Sequence, residues 1–377
     1  MIPSVLKGKV LSCLPYEELV ELDVDIVSYA LPFINNYQEF YKITVIKNRY
    51  NILELLIKRR SKIDYTKEIF HLYYHKMSGF NYALLNEHTE ILRLLLSLLL
   101  EYGIDQNAHT QLSEIDTSIR IDIDANYANS TIRWASENGH VKIVRLLLSL
   151  HKSYEIDPSI NRNEAIRMAS RNGHIEIIRL LLSLEKSYGI NPSTDNNYAI
   201  RIASKNGYIE IVKFLLSLEK SYGINPSTLN NYAIYMASSN GHIETVRLLL
   251  ELPKSYGIYP STLDNYAIRY ASKKGHIEIV KLLLSLPKRY GIDPRADNNY
   301  AIRYASMNGY ISIVKLLLSL PKSHGIDASA CNNYSIRYAS YNGYIEIVKL
   351  LLSLPKSYGI DPSANNNYAI CMASYGG

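Results

Sequence analysis

Residues Asp297–Ala330 read DNNYAIRYASMNGYISIVKLLLSLPKSHGIDASA, and this stretch is one copy of a unit that recurs down most of the chain. The glycine closing its first half, Gly309, has counterparts at Gly139, Gly173, Gly207, Gly241, Gly275, Gly343 and Gly377. Each step is 34 residues, so Gly139 to Gly343 spans 204 residues, six periods without an insertion. Self-similarity at a fixed period of this size marks a repeat architecture, in which neighbouring units bury one continuous core. That overrides the two or three domains that 377 residues would otherwise suggest.

Within a unit, Ala301–Ser306 predicts a short helix with Ile302 and Ala305 on one face. Asn298 and Asn299 stand where side chains can cap its amides, and Asn308-Gly309 ends it, glycine accepting the left-handed conformation. A second helix starts at Ile311 and sets Ile311, Val314, Leu317 and Leu318 at helical spacing. Most copies open it with glutamate, followed three residues later by Lys or Arg, as in Glu278 and Lys281. Pro253, Pro287, Pro321 and Pro355 end or bend that helix near Leu286 and its equivalents, and Gly-Ile-Asp turns lead to the next unit. Such a pair cannot cover its own apolar side, and stacking does so.

Around this frame the chain divides as follows. Residues 1–35 lack the repeat and read as a capping segment. Residues 36–124 carry two degenerate units, with an 18-residue excess near 106–124 in the loop between units. Seven regular units occupy 125–364, and 365–377 supply a half-unit that covers the last full one.

A composition of 47% hydrophobic and 20% charged residues is that of a folded protein. The net charge of +6 permits acidic partners without requiring them. Cys13, Cys331 and Cys371 have no paired spacing, which fits a reducing compartment. The apolar run Leu94–Leu100 is too short to span a bilayer, and Pro15-Tyr16-Glu17-Glu18 interrupts any secretory leader. The expectation is a soluble, intracellular and monomeric protein, cytoplasmic in its place of action, with no membrane partner.

No P-loop, G-x-S-x-G or H-E-x-x-H pattern is present, so no catalytic residue, metal ligand or cofactor site is assigned. The arginine column Arg133, Arg167, Arg201, Arg269, Arg303 and Arg337 reads as a set of ties to carbonyls of the neighbouring unit's loop, in preference to a phosphate ladder. The lysine column Lys152, Lys186, Lys220, Lys254, Lys288, Lys322 and Lys356 reads as a solvated edge at helix carboxyl ends, in preference to a nucleic-acid track. His140, His174, His242 and His276 alternate in one column with Tyr208, Tyr310 and Tyr344, which a metal site would not tolerate. The tyrosines that open helix one, Tyr198 to Tyr368, are placed between units.

The run A-S-x-N-G-H-I-E-I-V-K-L-L-L, followed by Gly-Ile-Asp, resembles the ankyrin repeat. The abundance of Tyr, Asn and Ile resembles the multi-repeat ankyrin proteins of giant DNA viruses, for which host cytoplasm is the setting. The resemblance implies an all-α, ankyrin-type helix-turn-helix solenoid. The tetratricopeptide repeat shares the period but not its W-L-G-Y signature. Two departures matter. Tyr300-Ala301-Ile302-Arg303 replaces the family's T-P-L-H. The segment before Gly-Ile-Asp is longer and the stretch after it shorter, which implies an extended helix two and shortened finger loops.

In ankyrin proteins the residue two before the closing glycine faces the concave groove that grips partners. The resemblance carries that role to Glu137, Arg171, Lys205, Ser239, Lys273, Met307 and Tyr341. It implies a non-enzymatic scaffold for a protein partner, with a groove basic toward Arg171–Lys273 and apolar toward Met307 and Tyr341. A second possibility is an adaptor, because Leu14-Pro15-Tyr16-Glu17 resembles the start of an F-box that recruits a ubiquitin ligase. Nucleic-acid binding along the lysine edge is the third and weakest reading.

Overall fold

A computed structural model describes residues 125–375, apart from 155 and 185–187, together with the isolated positions 15, 88 and 91. The expectations for the capping segment, for the two degenerate units and for the 106–124 insertion lie outside the described residues, those isolated positions aside. The chain divides into two compact units, Met1–Ile160 and Asn161–Gly377.

In the first unit, α1 (Ala125–Asn138) and α2 (Val141–Tyr154) are joined at Gly139, whose φ of 81° is the left-handed geometry that favours glycine. Their core sides carry Ile132 and Ala135 from α1 and Ile143, Val144 and Leu147 from α2. Trp134 is half-buried and stacks on His140, with ring centroids 4.8 Å apart.

In the second unit, helix one of successive repeats is α3 (Ile160–Asn172), α5 (Thr194–Asn206), α7 (Thr228–Ser239), α9 (Thr262–Lys273), α11 (Ala296–Met307), α13 (Ala330–Tyr341) and α15 (Ala364–Tyr375). Helix two is α4 (Ile175–Leu182), α6 (Ile209–Leu216), α8 (Ile243–Leu250), α10 (Ile277–Leu284), α12 (Ile311–Leu318) and α14 (Ile345–Leu352). From α5 to α15 the helix-one elements pack on one another in sequence, and α5, α7, α9, α11 and α13 each also hold their own helix two. No strand occurs among the described residues.

Helix one forms the enclosed middle of the stack. Ala301, Ile302, Ala305 and Ser306 of α11 are fully buried, and the small alanine and serine side chains let neighbouring helices come close. Helix two buries Ile313, Val314 and Leu317. The expected stripe therefore shifts: Val314 and Leu317 hold, while Ile311 and Leu318 are only half-buried on its flanks.

Three expectations about the unit are corrected. Helix two is not lengthened. It stops at Leu318, and the additional residues fold as a separate 3₁₀ turn, Lys322–His324, behind Pro321. The proline suits this break, having no amide to donate and restricting the residue before it, but α6 stops at Leu216 in the same way with Glu219 in the proline's place.

Asn298 and Asn299 do not cap helix one. They form, with Asp297, a left-handed turn with φ of 55°, 51° and 60°, closed by Asn299 N–H donating to the Arg295 carbonyl at 2.6 Å. The same triplet recurs at Asn161–Asn163, Asp195–Asn197, Leu229–Asn231, Leu263–Asn265, Cys331–Asn333 and Asn365–Asn367. Left-handed backbone is costly for residues with a Cβ, and least so for Asn and Asp, which explains the Asn-rich composition of these columns.

The arginine column is the third correction. Arg303 Nε and Nη2 donate to the carbonyls of Asn298 and Asp297, at 2.8 and 2.9 Å, so its partners lie in its own unit. Arg201 does the same to Asn196 and Asp195, and Arg337 to Asn332 and Cys331. A reversal of hand leaves the turn's carbonyls without helical partners, and the planar guanidinium fork meets two of them at once. Reach to the following unit is added by Arg167–Asp195 and Arg269–Asp297 ion pairs.

Candidate functional site

Two edges of the second unit differ in kind. At the turn edge, the third residue of each left-handed triplet turns its side chain to the next repeat. Asn299 Oδ1 accepts the Asp327 N–H at 3.0 Å, and Asn163, Asn197, Asn231, Asn265 and Asn333 make the same bond 28 residues on. In the first unit Asn129 accepts from Asp157 in the same way. These asparagines are buried, and the column is a structural ladder.

At the opposite edge, helix one ends on the residues singled out in the sequence. Their carbonyls are pinned by the next repeat: Asn206 Nδ2 donates to Arg171, Asn240 to Lys205, Asn308 to Lys273 and Asn342 to Met307, at 2.8–2.9 Å. Ring nitrogens join them, His242 Nε2 lying 3.0 Å from the Lys205 carbonyl and His276 Nε2 3.2 Å from that of Ser239. Burial holds His276 below the ordinary imidazole pKa against its bond to Ser239, and the charge of Lys274 and the nearby His242 push the same way.

The histidine-or-tyrosine column therefore braces adjacent repeats. The rings of Tyr208, His242, His276, Tyr310 and Tyr344 lie over the closing glycine of the preceding repeat: a Cβ on Gly207 would fall 2.4 Å from the His242 ring, and one on Gly309 2.7 Å from that of Tyr344. Among the described residues no group of three or more His, Cys, Asp or Glu side chains could hold a metal ion.

Between these braces lies an open groove of about 840 Å³, with Lys205, Lys273 and Lys274 above Tyr208, His242, His276 and Tyr310. Of the seven sequence-selected residues, Lys205 and Lys273 line it. Arg171 and Tyr341 are exposed on the same helix ends, and Met307 is half-buried, its sulfur accepting the Tyr334 hydroxyl. Ser239 is 2% exposed, so it offers its carbonyl inward and no side chain outward. Glu137 belongs to the first unit.

Sequence reasoning missed Lys274 as a lining residue. The available signal was a break in the pattern, since Asn206, Asn240, Asn308 and Asn342 hold the equivalent position elsewhere. Lys274 Nζ donates to Asn240 Oδ1 at 3.0 Å, keeping the bridge to the preceding repeat while adding a charge.

Beneath the groove edge runs a pile of tyrosines. From Tyr232 through Tyr235, Tyr266, Tyr270, Tyr300, Tyr304, Tyr334 and Tyr338 to Tyr368, successive ring centroids lie 3.9–5.9 Å apart. Arg303 lies over the rings of Tyr300, Tyr304 and Tyr334 at 5.2–5.8 Å, so the arginine column is occupied twice over, by carbonyls and by π-faces. Lysines 220, 254, 288, 322 and 356 sit exposed on the 3₁₀ turns.

The fold and this edge define a helical repeat array that presents an open surface on a rigid, internally bonded frame. The chain belongs to the ankyrin-repeat family: the family described as "Ankyrin repeats (3 copies)" matches residues 109–196, 132–228, 200–298 and 268–366, well over half its length. Among solved structures it is similar to the X-ray structure of an ankyrin repeat family protein from Legionella pneumophila, at 16% identity and a TM-score of 0.35, over 85% of this chain and 88% of that one. No curated protein matches it. Among the described residues no helix is long and apolar enough to cross a membrane.

Proposed function

We propose that this protein is a non-enzymatic scaffold that grips a protein partner along the groove edge of its repeats. The observation that carries the reading is a division of labour at one position. The carbonyls of Arg171, Lys205, Lys273 and Met307 are bonded alike by the next repeat, while the side chains on them change from arginine through lysine to methionine. A fixed backbone with a changeable side chain is the arrangement that lets a repeat array acquire specificity without altering its frame. Replacing Arg171, Lys205, Met307 and Tyr341 together by Ala should weaken partner capture in a pull-down and leave the helical melting transition in place. Unchanged capture would remove this edge from the account.

The adaptor reading rests on Leu14-Pro15-Tyr16-Glu17 alone. Deleting residues 1–35 should then abolish co-purification of a ubiquitin ligase while the substrate stays bound. The Tyr, Asn and Ile usage supports a giant-virus source and host cytoplasm as the place of action, which localisation of the tagged chain in infected cells would test.

A further inference from the structure

We infer that the groove takes an acidic peptide segment followed by an apolar residue. This rests on the groove being the protein-binding surface and adds the chemistry of its occupant.

The first ground is uncompensated charge. Lys205, Lys273 and Lys274 line the groove, and no carboxylate lines it with them. The ammonium of Lys273 lies 5.0–6.0 Å from the rings of Tyr270, Tyr300 and Tyr304, and that of Lys274 bonds the neutral amide of Asn240. Both are held in place by groups that leave their charge unneutralised. Carboxylates on neighbouring helices are already engaged: Glu210 with Lys213, Glu244 with Arg247 and Glu278 with Lys281. A positive groove with its counter-charges tied up elsewhere is complementary to an anionic ligand. The charge of Lys274 is felt at the groove floor, where it helps to disfavour protonation of His276.

The second ground is the change of character along the same edge. Past Lys273 the column continues with half-buried Met307 and 45% exposed Tyr341. A ligand that follows the edge meets cations first and then an apolar, aromatic step. A nucleic acid carries charge at every phosphate and would call for cations to continue. A peptide with clustered Glu or Asp and then Leu or Phe matches both halves.

The test is fluorescence anisotropy of the full chain with three labelled probes: a peptide of alternating Glu and Ser closed by Leu, its Glu-to-Gln counterpart, and a single-stranded oligonucleotide of equal charge. The acidic peptide should bind, weaken as salt is raised, and lose about tenfold in affinity in the double variant Lys205→Glu, Lys274→Glu. Lys288→Glu, on an exposed 3₁₀ turn outside the groove, should change nothing. Lys205→Gln with Lys274→Gln, checked by its melting curve, separates lost charge from lost folding. The imidazole NMR signals of His276 should shift on peptide binding. Equal binding of the Gln peptide, indifference to both double variants, or stronger binding of the oligonucleotide would each overturn the inference. If no acidic peptide binds but the fourfold Ala variant still fails to capture partner, the groove reading survives and only its acidic specificity falls.

Discussion

The turn edge and the groove edge of the same repeats obey different rules. Along the turn edge the units share a left-handed triplet and an asparagine reaching 28 residues ahead, and an arginine fork closes the turn at Arg167, Arg201, Arg303 and Arg337. Along the groove edge the helix-end carbonyls are pinned alike, and Arg171, Lys205, Ser239, Lys273, Met307 and Tyr341 succeed one another on equivalent positions. Both edges tie neighbouring repeats together, but only at the groove edge are the helix-end side chains left to vary. Identity of residue along a repeat column therefore signals a bond that the frame needs, within a unit as at Arg303 or across units as at Asn299, and the diversity at these helix ends marks side chains released from that duty.

The sharpest way to probe this comparison is at the glycines between the edges. Gly309→Ala places a methyl 2.7 Å from the Tyr344 ring at φ 81°, and should destabilise by about 2–4 kcal/mol through left-handed strain plus overpacking. Gly343→Ala has nothing within 4 Å at φ 72° and should cost only the strain, roughly 1–2 kcal/mol. Urea unfolding of both variants reads the ring contact as the difference. Equal losses would mean that the ring is not a brace.

Asn299→Ala comes next. It orphans the Asp327 amide and puts alanine at φ 60°, so a loss of about 1–3 kcal/mol is expected. Arg171→Ala, on the free edge, should stay within about 0.5 kcal/mol of the parent. Comparable effects at the two positions would erase the distinction between the edges.

A pH titration examines the tyrosine pile under the groove. Burial and the neighbouring phenols Tyr304 and Tyr338 push the Tyr334 pKa from 10 up to about 12, against the opposing charge of Arg303. Because the folded value is raised, the stabilisation it reflects is complete below pH 10 and is lost as pH climbs through about 12. The melting temperature should hold to pH 10 and fall above it, and less steeply in Tyr334→Phe.

Two smaller effects complete the set. Leu229 is 49% exposed at φ 51°, so Leu229→Asn should stabilise by roughly 1 kcal/mol, with a higher urea midpoint. The buried Ser306 hydroxyl has no hydrogen-bond partner, and Ser306→Ala should be neutral or slightly stabilising in the same assay.

The 34-residue period, the two helices of a unit and the glycine turns were legible because each depends on residues a few positions apart. Gly309, at φ 81°, shows how local that information is. The role of Asn299 was not legible. An asparagine before a helix reads as an amide cap, and the bond that it makes instead is to a unit not yet reached along the chain. Arg303 was misread for the converse reason: its carbonyl partners became available only once the preceding triplet changed hand. At the groove, Lys205 and Lys273 could be picked out by variation within a column. The burial of Ser239 could not, since only the packed neighbour covers it.

The piled tyrosines give the molecule its own spectroscopic gauge. Identical chromophores 3.9–5.9 Å apart couple their electronic transitions, so the near-ultraviolet circular dichroism of the second unit should exceed that of the same number of isolated phenols. A slip or splaying of any one rung would break the coupling there and register as a change in that signal, with no label attached.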